Sequence, residues 1–313
     1  MNTRLVFGSL AFLTATVLAT ACASSSDNAE NDDDNEVIST HNETASSFGL
    51  TTKEIALTLD DGPGPRTIEI AEWLAKEKIP ATFFMVGKNA KANPTAVKRV
   101  AELSQQNNGL FIIGNHSMTH PLSLVRLGEA GALAEIMNAD AILKDNIAAS
   151  QATYPTAISF FRAPGGAFTG LGAANIAKIN ASGAGKYQGP VFWDIGGALA
   201  NNFSADWDCW AKHVSVNNCM DGYEREAAAR GRGVMLAHDI HSQSVDMLIG
   251  TGAAGGRSFI HDMQAKGYKF VSMRAHDPSS AIGLVSSAPL ESSATSGAVA
   301  NGTDPEGETL DPQ

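Results

Sequence analysis

Seven short apolar or β-branched runs recur along the chain with helix-patterned stretches between them, and this alternation constrains the fold more than any other feature of the sequence. The strand candidates are Ile55–Leu59, Thr82–Val86, Leu110–Gly114, Ser159–Arg162, Pro190–Trp193, Gly233–Ala237 and Tyr268–Ser272. Helical patterning falls at about Thr67–Glu77, Pro94–Gln106, Leu127–Ser150, Leu171–Ser182, Tyr223–Arg230 and Val245–Lys266. Such alternation implies parallel βα units and a single α/β domain with about seven parallel strands. Gly196 to Cys219 breaks the rhythm and reads as a long loop, and no internal repeat is evident.

The two ends of the chain read differently from the core. Arg4 and the apolar stretch Leu5–Leu18 have the layout of an export signal, too short to span a membrane comfortably. Ala19-Thr20-Ala21 then precedes Cys22, which suits either lipidation of that cysteine or an ordinary cleavage that releases a soluble protein. The expected organisation is a signal peptide over 1–21, an acidic linker over 22–50, a catalytic domain over 51–277 and a tail over 278–313. Linker and tail hold too few large apolar residues to offset their ordering entropy, so both are expected to be disordered. They carry 12 of the 33 acids, and Arg4 is the only base in the ends, so the net charge of −11 belongs to the ends and the core is neutral. No basic stripe appears, which removes support for a nucleic-acid partner. In an exported domain Cys209 and Cys219 are a matched pair, expected as a disulfide, with two reduced thiols as the alternative.

The chemistry gathers at strand ends, where α/β folds place catalytic residues. Asp60 and Asp61 close the first run within Leu59-Asp60-Asp61-Gly62-Pro63, and His116 and His120 follow the third. Asp61, His116 and His120 form a sensible ligand set for a divalent metal, zinc first, with cobalt or manganese as alternatives. Three protein ligands leave a position open for water, and such a metal lowers the pKa of its water to around 7. Asp60 is left as the general base. Arg162 could hold a neighbouring carboxylate ionised, and the Gly165 amide could help bind an oxyanion. His238 could protonate a leaving group, with His241 nearby as a rival. Trp193, Trp207 and Trp210 could stack on sugar rings or pack in the core, while His213, His261 and His276 read as structural.

Taken together and in order, these residues resemble the polysaccharide deacetylases of carbohydrate esterase family 4, across roughly Thr52 to Ser272. Thr58-Leu59-Asp60-Asp61-Gly62-Pro63 is similar to the family's first motif and His116-Ser117-Met118-Thr119-His120 to its second. Arg162-Ala163-Pro164 resembles the third, Asp206-Trp207 the fourth and Leu236-Ala237-His238-Asp239 the fifth. The resemblance implies a distorted (β/α) barrel that hydrolyses N-acetyl groups on an N-acetylhexosamine polymer such as peptidoglycan or a chitin-like chain. It implies Asp60 as base, Asp61, His116 and His120 on the metal, and His238 as acid, with Gly165, Asp206, Trp207 and Leu236 around the substrate. Two positions depart from the family pattern: Gly165 stands where an aromatic is usual, and Gly196 where an acid is common. Whether Asp206, Asp194 or neither tunes His238 therefore stays open. So do two other substrate readings, an O-acetyl esterase and a non-catalytic carbohydrate-binding protein. The expected place is the cell envelope, by a lipid anchor at Cys22, or the medium.

Overall fold

The computed structural model describes residues 48–149, 160–166, 191–199 and 201–273. The expected signal, Cys22, the linker before residue 48, the helix over Leu171–Ser182 and the tail lie outside the described residues. Five strands form, β1 (Glu54–Asp60), β2 (Ala81–Met85), β3 (Phe111–Asn115), β4 (Gly233–His238) and β5 (Lys269–Phe270), and every pairing is parallel. Their order is β3–β2–β1–β4, with β5 also beside β1. Two further segments close the ring: Phe161 bridges Asn115 of β3, Val191 N donates to Phe161 O at 2.8 Å, and Ile195 bridges Met235 of β4. The result is a distorted (β/α) barrel. Among the described residues, two of the seven expected strands contribute isolated bridges instead of full strands, which is where the distortion lies.

Eight α-helices are described: α1 (Thr67–Glu77), α2 (Gly87–Ala92), α3 (Pro94–Gln106), α4 (Gly128–Ala149), α5 (Asp206–Ala211), α6 (Val216–Arg230), α7 (Ser242–Ile249) and α8 (Phe259–Ala265). Pro94 starts α3 at a position whose N–H has no helical partner, and Asn93 caps it by accepting from Ala96 N at 3.3 Å. α6 is capped by Ser215 and ends on Gly231 at φ 73°.

β1 explains how an apolar run can carry a polar site. Ile55, Leu57 and Leu59 pack outward with Ile70 and Leu74 of α1, while Ala56 packs inward with Phe84, Ile112 and Val234. Strand alternation then aims Thr58 and Asp60 into the barrel. Each fully buried Leu or Ile contributes about 1.5–3 kcal/mol, and Leu74→Ala is the kind of change that would cost about 2–5 kcal/mol by opening a cavity under α1.

Several expectations are corrected. The helix expected over Val245–Lys266 is two helices, because Gly250 (φ 81°) ends α7 and the Asp246 carboxylate accepts from Ala253 N at 3.0 Å, capping a new turn. The long loop from Gly196 to Cys219 contains α5 and the start of α6, which begins seven residues before Tyr223. The last strand shrinks from Tyr268–Ser272 to Lys269–Phe270. Phe48 and Leu50, assigned to the linker, pack on the barrel: the Phe48 ring meets Phe160 at 5.6 Å, and Leu50 is buried.

Candidate active site

At the C-terminal end of β1 the chain turns at Asp61 (φ 68°), which lifts this carboxylate out of the strand while Asp60 stays 2% exposed inside the barrel. The turn is fastened from outside: Asn89 of α2 donates to Asp61 O at 2.7 Å, and Val86 N donates to Gly62 O at 2.9 Å. Gly62 has no substitute here, since a Cβ would fall 2.4 Å from Asp239 Oδ1.

The β3 end supplies the histidines. His116 Nδ1 lies 2.8 Å from Arg162 O, and a carbonyl only accepts, so Nδ1 carries the proton and Nε2 presents its lone pair. His116 Nε2 lies 3.2 Å from Asp61 Oδ1 and His120 Nε2 3.0 Å from the same oxygen. Asp61 Oδ1 is buried and makes no hydrogen bond. Burial by itself would raise the Asp61 pKa, but the facing His120 and His116 rings and the His238 charge hold it well below the usual carboxylate range. An orphaned buried oxygen beside two imidazole nitrogens, all three ligand atoms within 4.8 Å of one another, fits a divalent cation.

Asp60 is held by a different partner. Arg162 is fully buried and donates through Nη1 to Asp60 Oδ1 at 2.7 Å and to Thr58 Oγ1 at 2.6 Å. Its Nε and Nη2 donate to Val191 O (3.2 Å) and Phe192 O (3.1 Å), and the guanidinium lies 4.3 Å from the Phe84 ring centroid. Burial lowers the Arg162 pKa and Asp60 opposes the shift, so the group stays a cation. Asp60 Oδ2 is left 3.6 Å from His116 Nε2.

On the neighbouring strand His238 ends β4, in register with Asp60. Its Nδ1 lies 2.6 Å from Asp206 Oδ1, and its backbone N donates to Asp206 Oδ2 at 2.9 Å. Burial alone would depress the imidazolium, but the Asp206 charge and hydrogen bond, with Asp61 and Asp60 behind them, push its pKa to about 10. Asp206 itself is lowered, against its burial, by His238, His241 and Ser244. Ser244 Oγ donates to Asp206 Oδ2 at 2.5 Å and accepts from Trp210 Nε1 at 2.9 Å. Cys209 and Cys219 are joined, tying α5, which carries Asp206, to α6.

Residues 49–181 match the family model described as polysaccharide deacetylase. Over these residues the chain is similar to the polysaccharide deacetylase family. A peptidoglycan-N-acetylglucosamine deacetylase of Bacillus cereus is 29% identical over 229 residues, spanning 71% of this chain and 70% of that protein. A chitooligosaccharide deacetylase of Rhizobium leguminosarum bv. trifolii is 42% identical over 74 residues, 23% of this chain and 32% of that protein. The catalytic domain of a peptidoglycan N-acetylglucosamine deacetylase from Eubacterium rectale shares the fold, with a TM-score of 0.52 at 21% identity over 73% of this chain and 91% of that one.

The matched segment of the deacetylase family ends before Asp206 and His238, so their place in the site is argued from geometry. That geometry answers the open pairing question: Asp206 faces His238, while Asp194 Oδ2 accepts from Val234 N at 2.8 Å. Asp206, expected beside the substrate, is fully buried and acts on His238 instead. Leu236 is buried on the same face of β4 as His238, with Thr58 as its register partner. Trp207 is half-buried, and Gly165 is exposed at φ 59°. Trp210 spends its indole N–H on Ser244, and the Trp193 ring stacks on Phe192 at 4.5 Å while lying over Arg162. His241 stands 6.2 Å from His238, ring to ring, and is one of the groups that lower Asp206. His261 packs on Trp73 and His276 lies outside the described residues. Sequence reading missed Thr58, Asn89, Asn115 and Ser244. Thr58 was available from the strand period, two before Asp60; Asn89 and Ser244 give no local signal, because their partners are distant in sequence, and Asn115 binds both nearby Ser117 and distant Ile136.

Proposed function

We propose that this protein is an exported, divalent-metal-dependent hydrolase that removes N-acetyl groups from an N-acetylhexosamine polymer, with peptidoglycan as the first candidate substrate. The observation that carries this reading is the orphaned Asp61 Oδ1 facing His116 and His120 Nε2, next to a base held by Arg162. The metal, most simply zinc, would be held by Asp61, His116 and His120 and would supply Lewis acidity toward the acetamide oxygen and an acidified water. Asp60, with Oδ1 fixed by Arg162, takes the proton from the attacking water on Oδ2. The Gly165 amide assists the developing oxyanion. His238, anchored through Nδ1 to Asp206, keeps Nε2–H for the departing amine. Leu236 and Trp207 line the acetyl-methyl pocket.

Relatives named for peptidoglycan and for chitooligosaccharide support the substrate class, and both names specify removal of an acetyl group. The disulfide and the leader support export, since such bridges persist in oxidising compartments. Cys22 is the proposed lipid attachment point, which with the acidic linker would let the domain reach the wall from a membrane. The test is acetate release from chitooligosaccharides and purified peptidoglycan by the metal-stripped chain resupplied with zinc or cobalt, beside Asp60→Asn. Metal-dependent release lost in Asp60→Asn is expected. Zinc binding without release from either polymer would sink the N-deacetylase reading and point to acetyl esters or to binding alone.

A further inference from the structure

The loop between the two histidines is held from both sides by groups distant in sequence. Gly87 N and Lys88 N, at the start of α2, donate to Ser117 O (2.9 Å) and Met118 O (2.8 Å). From α4, Glu135 Oε2 accepts from Met118 N (3.0 Å) and Thr119 N (2.8 Å), and Oε1 accepts from Thr119 Oγ1 (2.8 Å). One carboxylate thus takes three donors from two successive residues.

The loop requires such fastening. Ser117 and His120 sit at φ 68° and 60°, left-handed positions that cost non-glycine residues on the order of 1–3 kcal/mol each and persist only where surroundings impose them. Within the loop, Asn115 Oδ1 accepts from Ser117 N (2.8 Å) and Ser117 Oγ from His120 N (3.1 Å). Those bonds shape the turn but tie it only to itself and to β3. α2 also reaches the other half of the site through Asn89 and Asp61 O. Glu135 brings in α4, so the position of His120 is set against two helices.

We propose that Glu135 is a positioning residue for the metal: by accepting the Met118 and Thr119 amides it presets His120 Nε2 opposite Asp61 Oδ1. This rests on the metal site described above. The action is one of reach, since the carboxylate bonds the loop backbone rather than the cation. A carboxylate that merely added negative charge near a cation would behave differently, and two variants separate the possibilities. Glu135→Gln keeps the reach and an accepting oxygen without the charge. Glu135→Asp keeps the charge and shortens the side chain by one carbon.

The experiment is a calorimetric zinc titration of the full metal-stripped chain, as parent, Glu135→Gln and Glu135→Asp, with thermal unfolding of each metal-free protein. Glu135→Gln should bind zinc within about threefold of the parent, the small loss reflecting weaker neutral hydrogen bonds. Glu135→Asp should bind roughly 10–100-fold more weakly, the usual cost of losing an outer partner of a ligand, at an unchanged metal-free melting temperature. Parent-like zinc affinity in Glu135→Asp, or a loss in Glu135→Gln as large as in Glu135→Asp, overturns the proposal. A weakening matched by a fall in metal-free melting temperature is a folding defect and also overturns it. A parent chain that binds no zinc removes the metal site itself, a separate failure visible before any variant is compared.

Discussion

Asp60 and His238 are register partners at the C-terminal ends of the adjacent parallel strands β1 and β4. Partners in a parallel pair present their side chains on the same face, so the carboxylate and the imidazole enter the barrel side by side. Each is then tied outward by a buried partner from elsewhere in the chain, Asp60 by Arg162 and His238 by Asp206.

Arg162→Met leaves the Asp60 carboxylate buried without its counter-charge. Breaking one side of a buried pair costs about 3–5 kcal/mol. A lower urea midpoint is expected, partly restored when Asp60→Asn is added, because the neutral amide no longer needs a cation. An unchanged midpoint in Arg162→Met would show that the pair is not buried as described.

Asp206→Asn removes the charge that lifts His238. The folded pKa of His238, about 10, stands above the ordinary 6.5, so its contribution to stability is full below pH 6.5 and is lost as pH rises through about 10. Without Asp206 the depressing effect of burial prevails and the pKa falls. The alkaline limb of kcat/KM should move to lower pH in Asp206→Asn, with kcat down roughly 100-fold or more from loss of the acid. A profile with an unmoved alkaline limb would assign that limb to another group.

Asp239 carries the opposite liability. It is buried, Oδ1 has no hydrogen-bond partner, and burial with the charges of Asp61 and Asp60 raises its pKa to about 7, against the bond from Thr67. Its neutral form is favoured in the fold, so stability is full below pH 3.8 and lost as pH rises through about 7. Asp239→Asn mimics that neutral form. The metal-free variant should gain on the parent in urea midpoint at pH 8 and match it at pH 4; equal midpoints at both would overturn the assignment.

The bridge between Cys209 and Cys219 closes a loop of sequence separation 10. The chain-entropy model gives such a loop about 2–3 kcal/mol. Cys209→Ser with Cys219→Ser should lower the melting temperature accordingly. Because Asp206 sits three residues before Cys209 on α5, kcat should fall more than zinc affinity does. Equal losses in both would mean that the bridge supports the whole barrel and not the acid in particular.

The strands and first helices were legible because their residues carry their own pattern. β1, α1 and α3 lie where the apolar patterning puts them, Thr67–Glu77 and Pro94–Gln106 to the residue. α2 and α5, six residues each, were missed, since so short a helix has too few turns to show a periodic face. Phe161 and Val191 help close the barrel through a bridge and a single hydrogen bond, yet their runs looked like full strands, and Ile195, which bridges Met235, lies past the second run.

The sequence by itself determined the chemical inventory at the strand ends. A motif keeps Asp60 beside Asp61 and His116 near His120 whatever the rest of the chain does, because the spacing is local. Only the tertiary structure decided which carboxylate serves His238, which cation serves Asp60 and what holds the His120 loop. Those partners, Asp206, Arg162 and Glu135, lie 32, 102 and 16 or 17 residues from the groups they bind. Contacts at such separations are set by how strands close and helices pack, and no local pattern records them.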